Sequence, residues 1–235
     1  VVAAIVFVSV YFLWYPGAFF RASGGLELLR VIVIVDVVLG PLVILVIYKP
    51  GKWGLKFDLV TLALLQTAAL AYGVYVLFEA RPVYVAFVKD RFEIARANGF
   101  PDGELDPAKA KGYAHLPLAG PEWVGVQLPE GVEEKFLILM SGIGGVDAQY
   151  YPRYYVPYAQ VRDEVRAHAR PIAELRTRNP RLGGEIDQDV ASTGKPEASL
   201  GYLPMRAGKR DLTVIVDRAT GDVLDVSPVL PWGQV

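Results

Sequence analysis

The chain has no cysteine, and its 235 residues include only two histidines and two methionines. No disulfide, thiolate metal site or cysteine nucleophile is open to it, although a cysteine-free chain suits an oxidising compartment as well as a reducing one. Neither His115 nor His168 stands in HExxH or another paired ligand spacing, so no metal is expected. His168 falls on the apolar side of a predicted helix and reads as a core residue, while His115 sits beside prolines in a loop. The net charge is only −1, and no basic stripe with interleaved aromatics offers a footprint for a phosphate backbone. Nucleic acid is therefore not expected as a partner.

Charge is scarcest at the start of the chain. Residues 1–78 hold five basic side chains (Arg21, Arg30, Lys49, Lys52, Lys56) and three acidic ones (Glu27, Asp36, Asp58), against 49 charged residues in the whole sequence. With 53% hydrophobic content, two solvents are implied. A helix needs about 20 predominantly apolar residues to cross the ~30 Å hydrocarbon core, and Leu28 to Tyr48 and Asp58 to Phe78 meet that length. Val1 to Leu13 is apolar but shorter and reads as a third spanning helix missing its first turns; the rival reading is a signal-peptide core cleaved near Ala22.

The loop Lys49 to Phe57 carries Lys49, Lys52 and Lys56 without an acid, which places it on the cytoplasmic side. Everything after Phe78 is then delivered to the far side. Trp14, Tyr15, Phe19, Phe20, Tyr75 and Phe78 fit an outer aromatic girdle, and Tyr48, Trp53 and Phe57 an inner one. Asp36 falls about 12 Å into the core at 1.5 Å per residue, where an acid costs about 2.5–3.5 kcal/mol. It must face protein. Gln66 and Tyr72 of the following helix come within reach at that depth, and with Pro41 they outline either a polar seam where another helix docks or an internal contact fixing the bundle.

Beyond Phe78 the pattern changes. "VYVAFV" and "RFEIARA" alternate as strands joined at Lys89-Asp90. A Gly/Pro-rich stretch from Asn98 to Gly112 reads as loop, and "EWVGVQL" as a short strand. For "EEKFLILMSGIGG" periodicity leaves a buried helix turn and a strand both open. "PYAQVRDEVRAHARPIAELRTR" repeats apolar residues at helical spacing, with Pro171 kinking it or starting a second helix. "LTVIVD" and "DVLDV" flank a turn at Arg218 to Gly221 and make a hairpin. The fold class predicted is a membrane-anchored α+β chain: a three-helix transmembrane domain in residues 1–78, then a soluble mixed α/β domain with antiparallel hairpins in 79–235.

Catalytic motifs fail one by one. "SGIGGVDA" lacks the third glycine of a dinucleotide loop and any βαβ setting. "DVASTGKP" begins with Asp189 and has Pro196 where a phosphate loop needs Ser or Thr. Ser141 and Ser192 lack a GxSxG elbow. No catalytic residue and no cofactor are assigned. The run "QYYPRYYVPY" suggests contact instead, because Tyr and Arg are enriched at interface cores. Tyr150, Tyr151, Arg153, Tyr154 and Tyr155 form a candidate docking surface; the competing reading packs alternate tyrosines into the domain.

The segments "WYPGAFFRASGGLELLRVIVIVDVVLGPLVILVIYKPGK", "ALAYGVYVLFEARPVYVAFVKDRFEIARA" and "YLPMRAGKRDLTVIVDRATGDVLDVSPVLPW" resemble the TfpX/TfpZ family of type IV pilin accessory proteins. DVVLGP and ARPVYVAFVKDRFE are the most specific; Ala18 departs from the proline often found after "YPG". The resemblance implies a multi-pass inner-membrane protein with a periplasmic domain that helps its pilin accumulate or assemble, as a pilin-specific chaperone. Its partners would be a major pilin, both the helix in the bilayer and the globular head, and the pilus assembly machinery. It carries over no catalytic residues. The alternatives are a membrane-bound enzyme modifying pilin and a membrane-anchored ligand-binding sensor.

Overall fold

Alternation of side chains along short apolar segments builds the polar part of the molecule. The computed structural model describes residues 2–22, 24, 43, 45 and 55–233. Its strands are β1 (Pro82–Val88), β2 (Arg91–Arg96), β3 (Glu122–Val126), β4 (Tyr155–Pro157), β5 (Arg170–Pro171), β6 (Leu200–Arg206), β7 (Leu212–Asp217) and β8 (Val223–Ser227). They form one mixed sheet in the order β4-β3-β1-β2-β6-β7-β8, with β5 also on β6. The hairpin expected at Lys89-Asp90 is present, with Phe87 opposite Phe92 and Val88 opposite Arg91. Parallel pairings of β1 with β3 and of β2 with β6 join it to the strands on either side.

On one face, Val85, Phe87, Phe92, Ile94, Leu203, Met205 and Val214 bury into a continuous core. Phe19 and Ala22 of α2 (Ala18–Ala22), and Val161 and Val165 at α5 (Arg162–His168), close it. Each such side chain taken fully out of water contributes about 1.5–3 kcal/mol. The other face has two separate clusters. At one end Tyr84, Ala86, Val124 and Tyr155 gather Phe100 and Tyr113. At the other, Leu200, Tyr202 and Ile215 pack on α6 (Ile172–Arg178) and α7 (Gly183–Ser192) through Ile172, Leu175 and Ile186. A row of register partners, Val124, Ala86, Glu93 and Arg206, crosses the gap between them.

Pro171 splits the expected long helix. The chain extends at Arg170–Pro171 and pairs with Tyr202 and Gly201. A Cβ on Gly201 would lie 2.9 Å from that of Ala169, so the close approach depends on glycine. Because α5 ends at the break, His168 is exposed rather than in the core, with Nδ1 2.9 Å from the Glu164 carbonyl.

The expectation of three transmembrane helices is not met. Among the described residues one helix, α3 (Leu55–Glu79), is long and apolar enough to cross a bilayer. The expected first span is α1 (Val2–Leu13), whose 12 residues rise only about 18 Å. Its Val10 buries with Tyr15, Phe20 and Leu77. Tyr15, Phe19 and Phe20 are therefore buried protein contacts and not an interfacial girdle. The expected second span, with Asp36 and Pro41, lies outside the described residues.

The end of α3 is tightly joined to the sheet domain. The Tyr15 hydroxyl donates to the Leu77 carbonyl at 2.9 Å, and the Trp14 and Phe78 rings meet edge to face at 5.1 Å. Arg81, 4% exposed, donates through Nη1 to the Phe78 carbonyl at 2.7 Å and through Nε to the Pro117 carbonyl at 3.2 Å. A cation satisfying a terminal carbonyl suits the negative end of the helix dipole.

Candidate functional site

The stretch for which helix and strand were both open is a helix, α4 (Val132–Ile143), and it is not buried. Glu133 and Glu134 stand in its first turn, where acids favour the helix dipole. Val132, Phe136, Leu139, Met140 and Ile143 share one stripe at 3.6-residue spacing, and all five are exposed, from 47% at Met140 to 84% at Val132. The inward side carries Ile138, packed on the tyrosine cluster. A Cβ on Gly142 would meet the Asp147 carboxylate at 2.5 Å, so glycine lets the returning chain pass close to the helix. The apolar stripe of α4 is thus left open to solvent, with Leu139 and Ile143 at its edge toward the sheet face.

Between α4 and the open sheet face runs a groove of about 980 Å³. Ile138, Leu139 and Ile143 form one wall, with Val88 and Leu128 among the other lining residues. It shares Glu93, Asp147, Gln149 and Arg206 with a second recess of about 390 Å³ that reaches Tyr150 and Asp211. Four cations line the groove, Lys89, Arg91, Lys135 and Arg206, against the acids Glu93 and Asp147. Arg91 is paired with Asp90 at 2.9 Å. Lys89, Lys135 and Arg206 have no ion-pair partner among the described residues.

Burial pushes the Glu93 carboxyl up to about 7, with Arg206 and Arg91 opposing that shift. Gln149 is 7% exposed, and among the described residues its side-chain carbonyl oxygen has no hydrogen-bond partner. A buried acceptor left unmade costs about 1–3 kcal/mol. The groove thus brings together an apolar wall, cations and a buried acceptor. Among the described residues no group of three His, Cys, Asp or Glu side chains is arranged to hold a metal ion.

Sequence comparison gives this geometry a context. The chain is 28% identical over 226 residues, 92% of its length and 86% of the relative's, to the fimbrial assembly protein of serogroup I of Dichelobacter nodosus. To the serogroup E1 protein of that organism it is 27% identical over 218 residues, 89% of this chain and 82% of that one. With the fimbrial assembly protein of serogroups C1 and C2 it shares 34% identity over 96 residues, 40% of this chain and 72% of that protein. The chain belongs to the fimbrial assembly protein family. No family model and no solved structure matches it.

The tyrosine run lies beside α4. Tyr155 is buried, its hydroxyl donating to the Gln149 carbonyl and its ring 5.1 Å from that of Tyr84. Tyr151 is also buried, while Tyr150 and Tyr154 are half-buried. The Arg153 guanidinium stands 5.1 Å and 5.2 Å from the Tyr151 and Tyr154 ring centres, and 3.6 Å from the Glu104 carboxylate. These three residues line a small recess with Glu134, Leu137 and Ile138, so they back the helix whose other side walls the groove. Gln66 and Tyr72 lie on α3, the first half-buried and the second 69% exposed.

Sequence reasoning missed Glu93, Gln149, Arg206 and the α4 stripe. The period-2 pattern of "RFEIAR" does hold a trace of the first. It sets Glu93 on the face opposite Phe92 and Ile94, which is where the open groove lies.

Proposed function

We propose that this protein serves type IV pilus biogenesis as an inner-membrane accessory protein which, like the TfpX/TfpZ proteins it resembles, binds and stabilises a pilin subunit before assembly. The supporting observation is near-full-length likeness to fimbrial assembly proteins in a chain whose α3 has an apolar window with no residue buried inside the protein. A helix apolar all round calls for lipid or neighbouring helices. The Thr67 hydroxyl near its centre is satisfied within it, donating to the Ala63 carbonyl at 2.8 Å. Lys56 near its start favours a cytoplasmic N-terminal end, and on this reading the sheet domain lies in the periplasm. A subunit held by an apolar helix in the bilayer, with its head outside, would meet both parts.

The test is co-purification from detergent-solubilised membranes with the cognate pilin, together with pilin abundance after deletion of the gene. The expected result is pilin retained on the tagged protein and pilin depleted in the deletion strain. Failure of both removes the proposal.

A further inference from the structure

We propose that the groove between α4 and the open sheet face is the grip of this protein on its subunit, and that what lies in it is an apolar peptide segment carrying a carboxylate. This deepens, and rests on, the reading that the protein binds a pilin. Leu139 and Ile143 belong both to the exposed stripe and to the groove wall, so a segment laid there covers the apolar edge of α4. The helix is 12 residues long, and about five extended residues at ~3.3 Å each span its ~18 Å.

Charge fixes the chemistry of the occupant. Lys89 and Lys135 have no ion-pair partner among the described residues and border the groove with Arg206, which stands beside Glu93, so a carboxylate finds a cation near it, whereas a second cation would be repelled. The Gln149 side-chain oxygen, buried in the lining and without a partner among the described residues, calls for an N–H. An extended peptide supplies backbone N–H groups along its length, and an acyl chain supplies none. An anionic lipid surface is further disfavoured by Glu133 and Glu134 beside the stripe.

The test uses the full chain in membranes of cells that make the pilin, with a photo-crosslinking amino acid at Leu139 or, as control, at Thr177 on α6. Crosslinking to pilin from position 139 is expected at least roughly tenfold above that from 177, matching a site that is occupied against one that is not. Should pilin co-purify while 139 labels no better than 177, or labels lipid or another protein instead, the groove is not the grip and the pilin reading stands. If no pilin co-purifies with the parent protein, both fall. Lys89→Glu with Lys135→Glu is expected to lower retained pilin roughly tenfold, since rim charges that match a partner are repulsive once reversed. Lys89→Arg with Lys135→Arg should retain it. Because both lysines are exposed and unpaired, an unchanged melting temperature checks that the fold is intact. Undiminished retention by the double Glu variant overturns the proposal.

Discussion

The two faces of the sheet are made by alternate residues of the same strands, yet they have opposite fates. On β2, Phe92 and Ile94 point into a core closed by α2 and α5, while Arg91 and Glu93 point into an open groove. On β6, Leu203 and Met205 join that core and Arg206 joins Glu93 across the register. The closed face holds the fold together through continuous apolar burial. The open face has two clusters with Glu93 and Arg206 between them, and charges that are not fully buried there remain within reach of water. The two-residue repeat of a strand thus separates the packed core from the proposed binding face.

If that division is right, the largest effect comes from the closed face. Phe92→Ala removes a ring buried between Phe87 and Trp123, whose centroids lie 5.3 Å and 5.2 Å away. A loss of about 3–5 kcal/mol is expected, read as a lowered thermal midpoint in detergent. Gly125→Ala comes next. Its Cβ would stand 2.3 Å from a methyl of Val161, and the overpacking should cost about 1–3 kcal/mol. Either variant melting like the parent would mean that the face is less tightly closed than the packing indicates.

What was legible in the sequence follows the same division. The β1–β2 hairpin, its Lys89-Asp90 turn, the β7–β8 hairpin and the long apolar helix were all readable, because each depends on neighbours a few residues apart. The parallel pairings of β1 with β3 and β2 with β6 join distant segments, and no local pattern announces them. The direction of the α4 stripe was equally hidden: periodicity shows that Val132, Phe136 and Ile143 share a side, and tertiary packing decides whether that side is covered. The same limit applied to Tyr15 and Phe19, whose aromatic character suits a membrane interface and a protein core alike. Of the candidate site, the tyrosine run was visible by composition, but burial sorts its members, with Tyr151 and Tyr155 turned inward and Arg153 resting against the Tyr151 and Tyr154 rings.

A smaller effect is expected at Glu93, where the open face adjoins the closed one. Burial raises its carboxyl to about 7, against the lowering influence of Arg206 and Arg91 and with Asp147 and Asp211 adding to the rise. The folded protein therefore keeps this proton after the unfolded chain has released it. The group's stabilising contribution is complete below the ordinary carboxylate range and is lost as pH climbs through about 7. Glu93→Gln holds a neutral side chain throughout and should gain on the parent by roughly 1–2 kcal/mol at pH 8, with the gap closing toward pH 4.5, after allowance for solvent screening. Thermal melts of both proteins across that range decide it; a constant gap would show that Glu93 is already solvated like a surface acid.

The smallest effect separates α4 from every other apolar segment of the domain. Phe136 is 57% exposed, so Phe136→Ser removes a ring that lies mostly in water, and stability should change by no more than about 0.5 kcal/mol. A buried phenylalanine truncated in the same way would cost several times more. Solubility of the detergent-extracted protein should improve, because an exposed apolar stripe is also a site of self-association. A fall in the melting midpoint comparable to that of Phe92→Ala would instead mean that the stripe is covered within the protein, and α4 would then belong with the closed face as part of the core.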